Sequence, residues 1–334
     1  MRKLVVVAIL FLAIAFVILG FSELESVIRT LQQDNLWFVG LAILFETLWF
    51  VLVGLSFKSI YNLLGMDESR QRLTLIAAAA NFVNVIAPTA GVGGIALFID
   101  DGRRRGLSSG KVTAAGALFL LADYAAFLCV LGLGLIVLVR RNNLGAGEIT
   151  ASLILLAIAS VLAFLVYLGY RSAEALGNVL ARMARLVNRV ARPFLHRQYL
   201  SERRAHTFAA EIAEGLASVP EKPRSVLRPV LFSLANKTDL MAVLTCAFLA
   251  FGVPFSAGTI IAGFAIAYLF LIVSPTPSGI GVVEGIMALA LTSLRVPWSE
   301  AVIITLAYRA ITFWLPLAVG AWAFRFLHLP AQTE

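Results

Sequence analysis

Four short stretches put charged side chains where almost everything around them is apolar. Glu46 stands in L-F-E-T-L, Asp123 in L-A-D-Y-A, Arg309 in A-Y-R-A-I, and Lys237 and Asp239 share N-K-T-D. Charges in such surroundings are costly to desolvate, so they pair, face a cavity, or handle protons and charged substrates. Two further stretches suit an anion without any charge of their own. Residues 85–95 read V-I-A-P-T-A-G-V-G-G-I and residues 272–282 read I-V-S-P-T-P-S-G-I-G-V. In each, Pro-Thr and a glycine-rich turn interrupt an apolar run, after which a helix is predicted to restart. The free N–H groups and positive dipole end of a restarting helix bind phosphate or carboxylate. Thr89, Thr276 and Ser278 add hydroxyls, and Gly91, Gly93, Gly94, Gly279 and Gly281 allow close backbone approach. Asn81 and Asn84, one turn apart, place two amides on one face of the entering limb. Glu284 falls in the first turn after the second break, where it can cap that helix, pair with a cationic headgroup, or pair with Arg309.

The elements carrying these residues have to lie in a membrane. Of 334 residues, 60% are hydrophobic and only 14% charged, far from the composition of a soluble domain. Apolar runs at Leu4–Phe21, Leu36–Phe57, Val112–Val139, Ile149–Tyr170, Leu231–Phe251 and Ala301–Phe324 are each long enough to cross about 30 Å of hydrocarbon. The first follows Arg2 and Lys3 and lacks a small-residue cleavage site before Ser22, so it is read as an uncleaved span. The formal net charge of +8 fits basic loops against an anionic leaflet rather than nucleic acid. Cys129 and Cys246 lie in apolar runs without metal-ligand spacing, which predicts neither disulfide nor metal centre. No G-x-x-x-x-G-K-[ST] loop occurs, so direct ATP drive is not expected, and no cofactor is expected either.

Breaking a helix in hydrocarbon strands backbone polar groups, which is tolerated where they line a cavity or are buried in protein. Two broken segments at corresponding places in a chain point to a transporter-type site near the midplane. Charge sets their orientation. The loop Ser22–Asn35 is acidic, whereas Lys58–Arg72 and Asp100–Lys111 both carry basic residues, including Arg103, Arg104 and Arg105. Both flanks of the first broken stretch (73–99) are therefore expected in the cytoplasm, making it a re-entrant hairpin. Arg171–Val230 holds 11 Lys/Arg against 5 Asp/Glu and is cytoplasmic by the same rule. Counting onward, the second broken stretch (259–294) starts outside and also returns to its starting face. Arg140 and Arg141 run against the rule, since they would lie outside.

The expected architecture is an all-α polytopic membrane protein with about six transmembrane helices and two oppositely oriented re-entrant hairpins in an inverted repeat. Residues 1–334 form one membrane domain, with a first repeat at 36–139, a basic cytoplasmic segment at 171–230 and a second repeat at 231–324. Both termini are expected in the cytoplasm. In the basic segment, Leu176, Val179, Leu180, Met183, Val187 and Val190 recur at helical spacing, opposite Arg182, Arg185, Arg189 and Arg192. That pattern predicts a helix lying in the headgroup region, with a second short helix at about Ser201–Ser218 packed on it. From Pro88 to Asp123 is 35 residues and from Pro275 to Arg309 is 34, so each break is followed at the same distance by a buried charge. For Arg309, helix-to-helix pairing with Asp123 or Glu46 is one expectation and substrate binding the other. Snorkelling toward the cytoplasm is the expectation for Lys237.

In its broken N-x-x-x-P segment, central basic loop and second P-x-x-x-G-x-G-x-x-E hairpin, the chain resembles the lysylphosphatidylglycerol synthase transmembrane-domain family of flippase-like membrane proteins. Asn84, Pro88 and Gly94, then Pro275, Gly279, Gly281 and Glu284, carry the resemblance. It implies movement of lipids with modified polar heads between leaflets of a bacterial or archaeal plasma membrane. The family's cytoplasmic aminoacyltransferase domain is not seen here, so lysyl transfer would need a separate lipid-modifying enzyme as partner.

Together these features predict a lipid flippase rather than an enzyme. Its midplane site would lie between the hairpins, with Arg309 as the cationic half and Glu46, Asp123, Asp239 and Glu284 balancing a basic headgroup or taking up protons. Expected partners are membrane lipids with anionic or zwitterionic headgroups; an oligomer is compatible with the sequence. Two alternatives are a membrane-embedded lipid pyrophosphate phosphatase and a non-transporting partner of a synthase or glycosyltransferase. The topology is directly testable. Cysteines placed at Ser59 and Gly106 should both react with a reagent confined to the cytoplasmic side; labelling from opposite sides would turn the first hairpin into a through-span.

Overall fold

The computed structural model describes residues 36–86, 92–195, 201–217, 223–274 and 276–327. Among these, every regular element is helical: α1 (Leu36–Leu63), α2 (Arg70–Ile86), α3 (Val92–Arg104), α4 (Ser109–Arg140), α5 (Ala146–Arg171), α6 (Ala173–Leu195), α7 (Glu202–Ala217), α8 (Pro223–Ala250), α9 (Ala257–Val273), α10 (Val282–Ser293), α11 (Trp298–Arg309) and α12 (Leu315–Leu327). A π-helical turn, Ala310–Trp314, joins the last two. Five segments are long and apolar enough to cross a bilayer: α1, α4, α5, Leu227–Ala250 and Trp298–Leu327. They coincide with five of the six apolar runs in the sequence; Leu4–Phe21 lies outside the described residues. Leu153, Leu156, Val161 and Phe164 of α5 are exposed. Such a row would be a liability in water but is what lipid requires of a helix surface.

The chain divides into two compact units. One comprises residues up to Leu48, Leu133–Leu144 and Asp239–Pro316; the other comprises Trp49–Gly132, Gly145–Thr238 and the chain from Leu317 onward. Each contains one of the two broken stretches, and each broken stretch is a helical hairpin.

In the first unit, α9 and α10 double back on each other. Ala262 and Ile266 of α9 share a core with Ala290 of α10, Leu294 just after it, and Leu138 of α4. Gly263 faces Leu291 so closely that a Cβ would stand 2.7 Å from its Cδ2. The start of α9 is set by Ser256, whose side chain accepts a hydrogen bond from the Thr259 N–H, satisfying one orphan donor of the first turn. With 12 residues, α10 reaches only about 18 Å, well short of the roughly 30 Å of a bilayer core.

In the second unit, α2 and α3 pair in the same manner. Near the break, the Gly94 N–H donates to Asn84 Oδ1 at 2.7 Å. At the open end, Arg72 pairs with Asp101 and Arg105 with Glu68 at 2.7 Å, while Lys58 meets Asp67 at 2.7 Å. Between them Phe57 stacks on Phe98, their ring centroids 4.4 Å apart. The basic residues that mark this hairpin's flanks in the sequence thus also close its open end. The amphipathic helix α6 packs against α7. Leu176, Ala181 and Ala184 of the one and Ala209 and Leu216 of the other are buried, with Met183 and Leu186 exposed.

Asn84 is the side chain that ties the two arms of the first hairpin near its break. Replacing it with alanine should lower stability by about 1–2 kcal/mol, the cost of orphaning a partly buried N–H, whereas Asn81→Ala should change it little. Thermal unfolding of the two variants in detergent measures this; equal losses would show that the Asn84–Gly94 bond does not hold the hairpin.

Candidate functional site

The turn of the second hairpin is built from left-handed backbone. Ser278, Gly279 and Gly281 have φ of 50°, 71° and 77°, and a short 3₁₀ turn, Pro277–Gly279, leads into α10. Glycine adopts this region freely, whereas serine does so at a cost. A Cβ on Gly279 would also stand 2.3 Å from Val283 Cγ2, so this glycine is required by packing as well as conformation. Ser274 and Thr276 share a hydroxyl–hydroxyl bond of 2.8 Å on the approach to the turn.

Arg309 holds this turn. Its Nε donates to Glu284 Oε1 at 2.6 Å, its Nη2 donates to the Ser278 carbonyl at 3.0 Å, and its guanidinium lies 4.8 Å from the centroid of the Phe313 ring. The residue is only 5% exposed. Arg309 closes α11 immediately before the π turn, a distortion that recurs at functional sites. Glu284 sits in the first turn of α10, so its carboxylate already occupies the anion-favouring helix end. Its second oxygen, Oε2, is buried and makes no hydrogen bond among the described residues.

Next along α11, Tyr308 is buried and lies within electrostatic reach of Glu46, Arg309 and Tyr268. Glu46 in turn lies within reach of Asp239. Both carboxylates are buried, at 1% and 5% exposure. Glu46 Oε2 and both Asp239 oxygens lack a hydrogen-bond partner among the described residues. Asp239, Glu46, Tyr308, Arg309 and Glu284 therefore form a polar array inside one unit, with three carboxylates against one guanidinium. An uncompensated carboxylate in an apolar interior must be complemented by a proton or by a cation.

The other unit holds a separate pair. Lys237 Nζ donates to Asp123 Oδ1 at 2.5 Å, with the lysine side chain 1% exposed. This corrects two expectations. Lys237 does not snorkel: α8 begins at Pro223, which places it mid-helix, and its ammonium is buried against Asp123. Nor does Arg309 pair with Asp123 or Glu46; it pairs with Glu284 on the adjacent helix, one of the alternatives the sequence left open for Glu284. The short antiparallel step from α10 to α11 brings residues 25 apart in sequence face to face, whereas the lysine pair joins residues 114 apart. Of the other sequence candidates, Asn84 and Gly94 meet in the first hairpin, with Asn81 and Gly93 nearby in the same arms; Thr89 and Gly91 lie outside the described residues. Tyr308 was not among the candidates. Its only sequence signal is its position beside Arg309.

The family pattern described as "Lysylphosphatidylglycerol synthase TM region" matches residues 3–320, nearly the whole chain. No curated protein matches it.

The buried Lys237–Asp123 pair makes a prediction. Lys237→Met or Asp123→Asn alone should destabilise the protein by about 3–5 kcal/mol, because each leaves an uncompensated charge, while the double variant should recover most of the loss. Unfolding free energies for the four-member cycle measure this. Additive losses would mean that the two groups do not compensate each other.

Proposed function

The chain belongs to the lysylphosphatidylglycerol synthase TM-region family, and we propose that it moves a polar-headed phospholipid between leaflets. The observation that carries this reading is the acidic array of the first unit, where Glu46 and Asp239 are buried without a cation partner among the described residues. A structural ion pair needs opposite charge, and this array has a surplus of negative charge instead. The surplus suits the ammonium of a zwitterionic or aminoacylated headgroup, or protons exchanged for it. Within the array, Arg309 and Glu284 shape the hairpin turn, and acyl tails would remain in lipid, where α5 exposes its leucines.

Leaflet exchange in liposomes tests the reading. The purified protein should accelerate flipping of fluorescent phospholipids, with those bearing an ammonium favoured over plain phosphatidylglycerol. Glu46→Gln with Asp239→Asn should cut exchange by at least about tenfold. Removing unpaired buried charge should leave thermal stability unchanged or raised, so a loss of exchange would not reflect unfolding. Full exchange in this double variant would sink the proposal.

A further inference from the structure

At the open end of the second hairpin, opposite its turn, a half-open cavity of about 620 Å³ is lined by Arg140, Arg141, Arg295, Ser256 and Thr259 among others, and by no Asp or Glu. All of these residues belong to one compact unit. The cavity lies at helix ends: Arg140 is the last residue of the span Ser109–Arg140, and Arg295 follows the end of α10. In a bilayer this is the level of the phosphate layer rather than of the acyl chains.

The three arginines have different work. Arg141 is structural. Its Nη2 donates to Ser256 Oγ at 2.8 Å and its Nη1 to the Leu294 carbonyl at 3.2 Å, tying the end of α4 to both arms of the hairpin. This gives a physical reason for a basic residue that runs against the charge rule. Arg140 and Arg295 are exposed and form no ion pair with a carboxylate among the described residues. Helix ends do not neutralise them. The C-terminal ends of α4 and α10 contribute about −0.5 charge each and the N-terminal end of α9 about +0.5, against three full positive charges.

Arg295 adds a second observation. It occupies the left-handed position after α10, with φ of 73°. Val296 N–H bonds back to the Leu291 carbonyl at 3.1 Å to complete the helix stop. That position is normally glycine, because a Cβ there crowds the neighbouring carbonyl. An arginine held in a glycine position is backbone strain that the stop does not need, and it aims a guanidinium at a cavity that already holds two others.

We propose that this cavity is a docking site for a phosphate-bearing anion, and that the occupant is the headgroup of an anionic membrane lipid. Arg141 is held in place by the fold, while Arg140 and Arg295 are left to close on the phosphate oxygens with charge-assisted hydrogen bonds. The site is independent of leaflet exchange, since occupancy is measured without transport.

The full-length protein in a non-ionic detergent should be titrated with phosphatidylglycerol, with diacylglycerol, or with inorganic pyrophosphate alone, reading the melting temperature. Phosphatidylglycerol should raise it saturably, and diacylglycerol should not. Arg140→Gln and Arg295→Gly should each shift the half-saturating lipid concentration upward by at least about tenfold. Arg295→Gly also relieves the left-handed strain, so without ligand it should melt at or above the wild-type temperature, separating lost binding from lost folding. Wild-type titration by Arg295→Gly, or equal stabilisation by diacylglycerol, overturns the proposal. Stabilisation by pyrophosphate but none by the lipid overturns the lipid as occupant and assigns the arginines to a soluble anion.

Discussion

A guanidinium inside an apolar bundle can send its charge only to acceptors that the protein itself supplies. Arg309 meets this requirement with Glu284 and the Ser278 carbonyl, and the second hairpin is organised around that solution. The carbonyl it binds belongs to a left-handed serine, a conformation that needs external support. The carboxylate it binds stands on the first turn of the returning arm. One side chain therefore secures the reversal of the chain and the placement of an acid at the start of a helix. The same arrangement leaves Glu284 with one buried oxygen that has no hydrogen-bond partner among the described residues.

Charge compensation sorts the remaining buried ionisable groups. Lys237 and Asp123 neutralise each other, as do Arg309 and Glu284. Glu46 and Asp239 are left over, buried and, among the described residues, without hydrogen-bond partners for three of their four oxygens. Structural pairs give rigidity and are weak evidence for anything more; the proposed function rests instead on the carboxylates that have no cation partner among the described residues.

The two hairpins are fastened differently. In α2–α3 a side-chain amide reaches across near the break, and ion pairs close the open end. In α9–α10 the turn is held by a guanidinium from the following helix, and the open end by Arg141. The first scheme is local to the hairpin. The second draws on α4 and α11, so the acidic array and the arginine-lined cavity are both attached to the hairpin whose geometry depends on its neighbours.

Membrane class, the positions of five described spans and the two interruptions follow from the sequence alone, because each depends on local properties. An apolar run of about 20 residues has few alternatives to a spanning helix, and Pro with clustered glycine ends a helix wherever it falls. The ionisable residues inside the bundle are legible for the same reason, since Glu46, Asp123, Asp239 and Arg309 stand out against apolar neighbours. Their partners were not. Whether Arg309 meets Asp123, Glu46 or Glu284 depends on which helices are adjacent and how each is rotated, and neither is encoded in a local pattern. Lys237 was misread because the true start of α8, at Pro223, moved it from a helix end to a helix centre. The left-handed Arg295 and the cavity beside it arise where three helix ends converge, an arrangement that only tertiary packing creates.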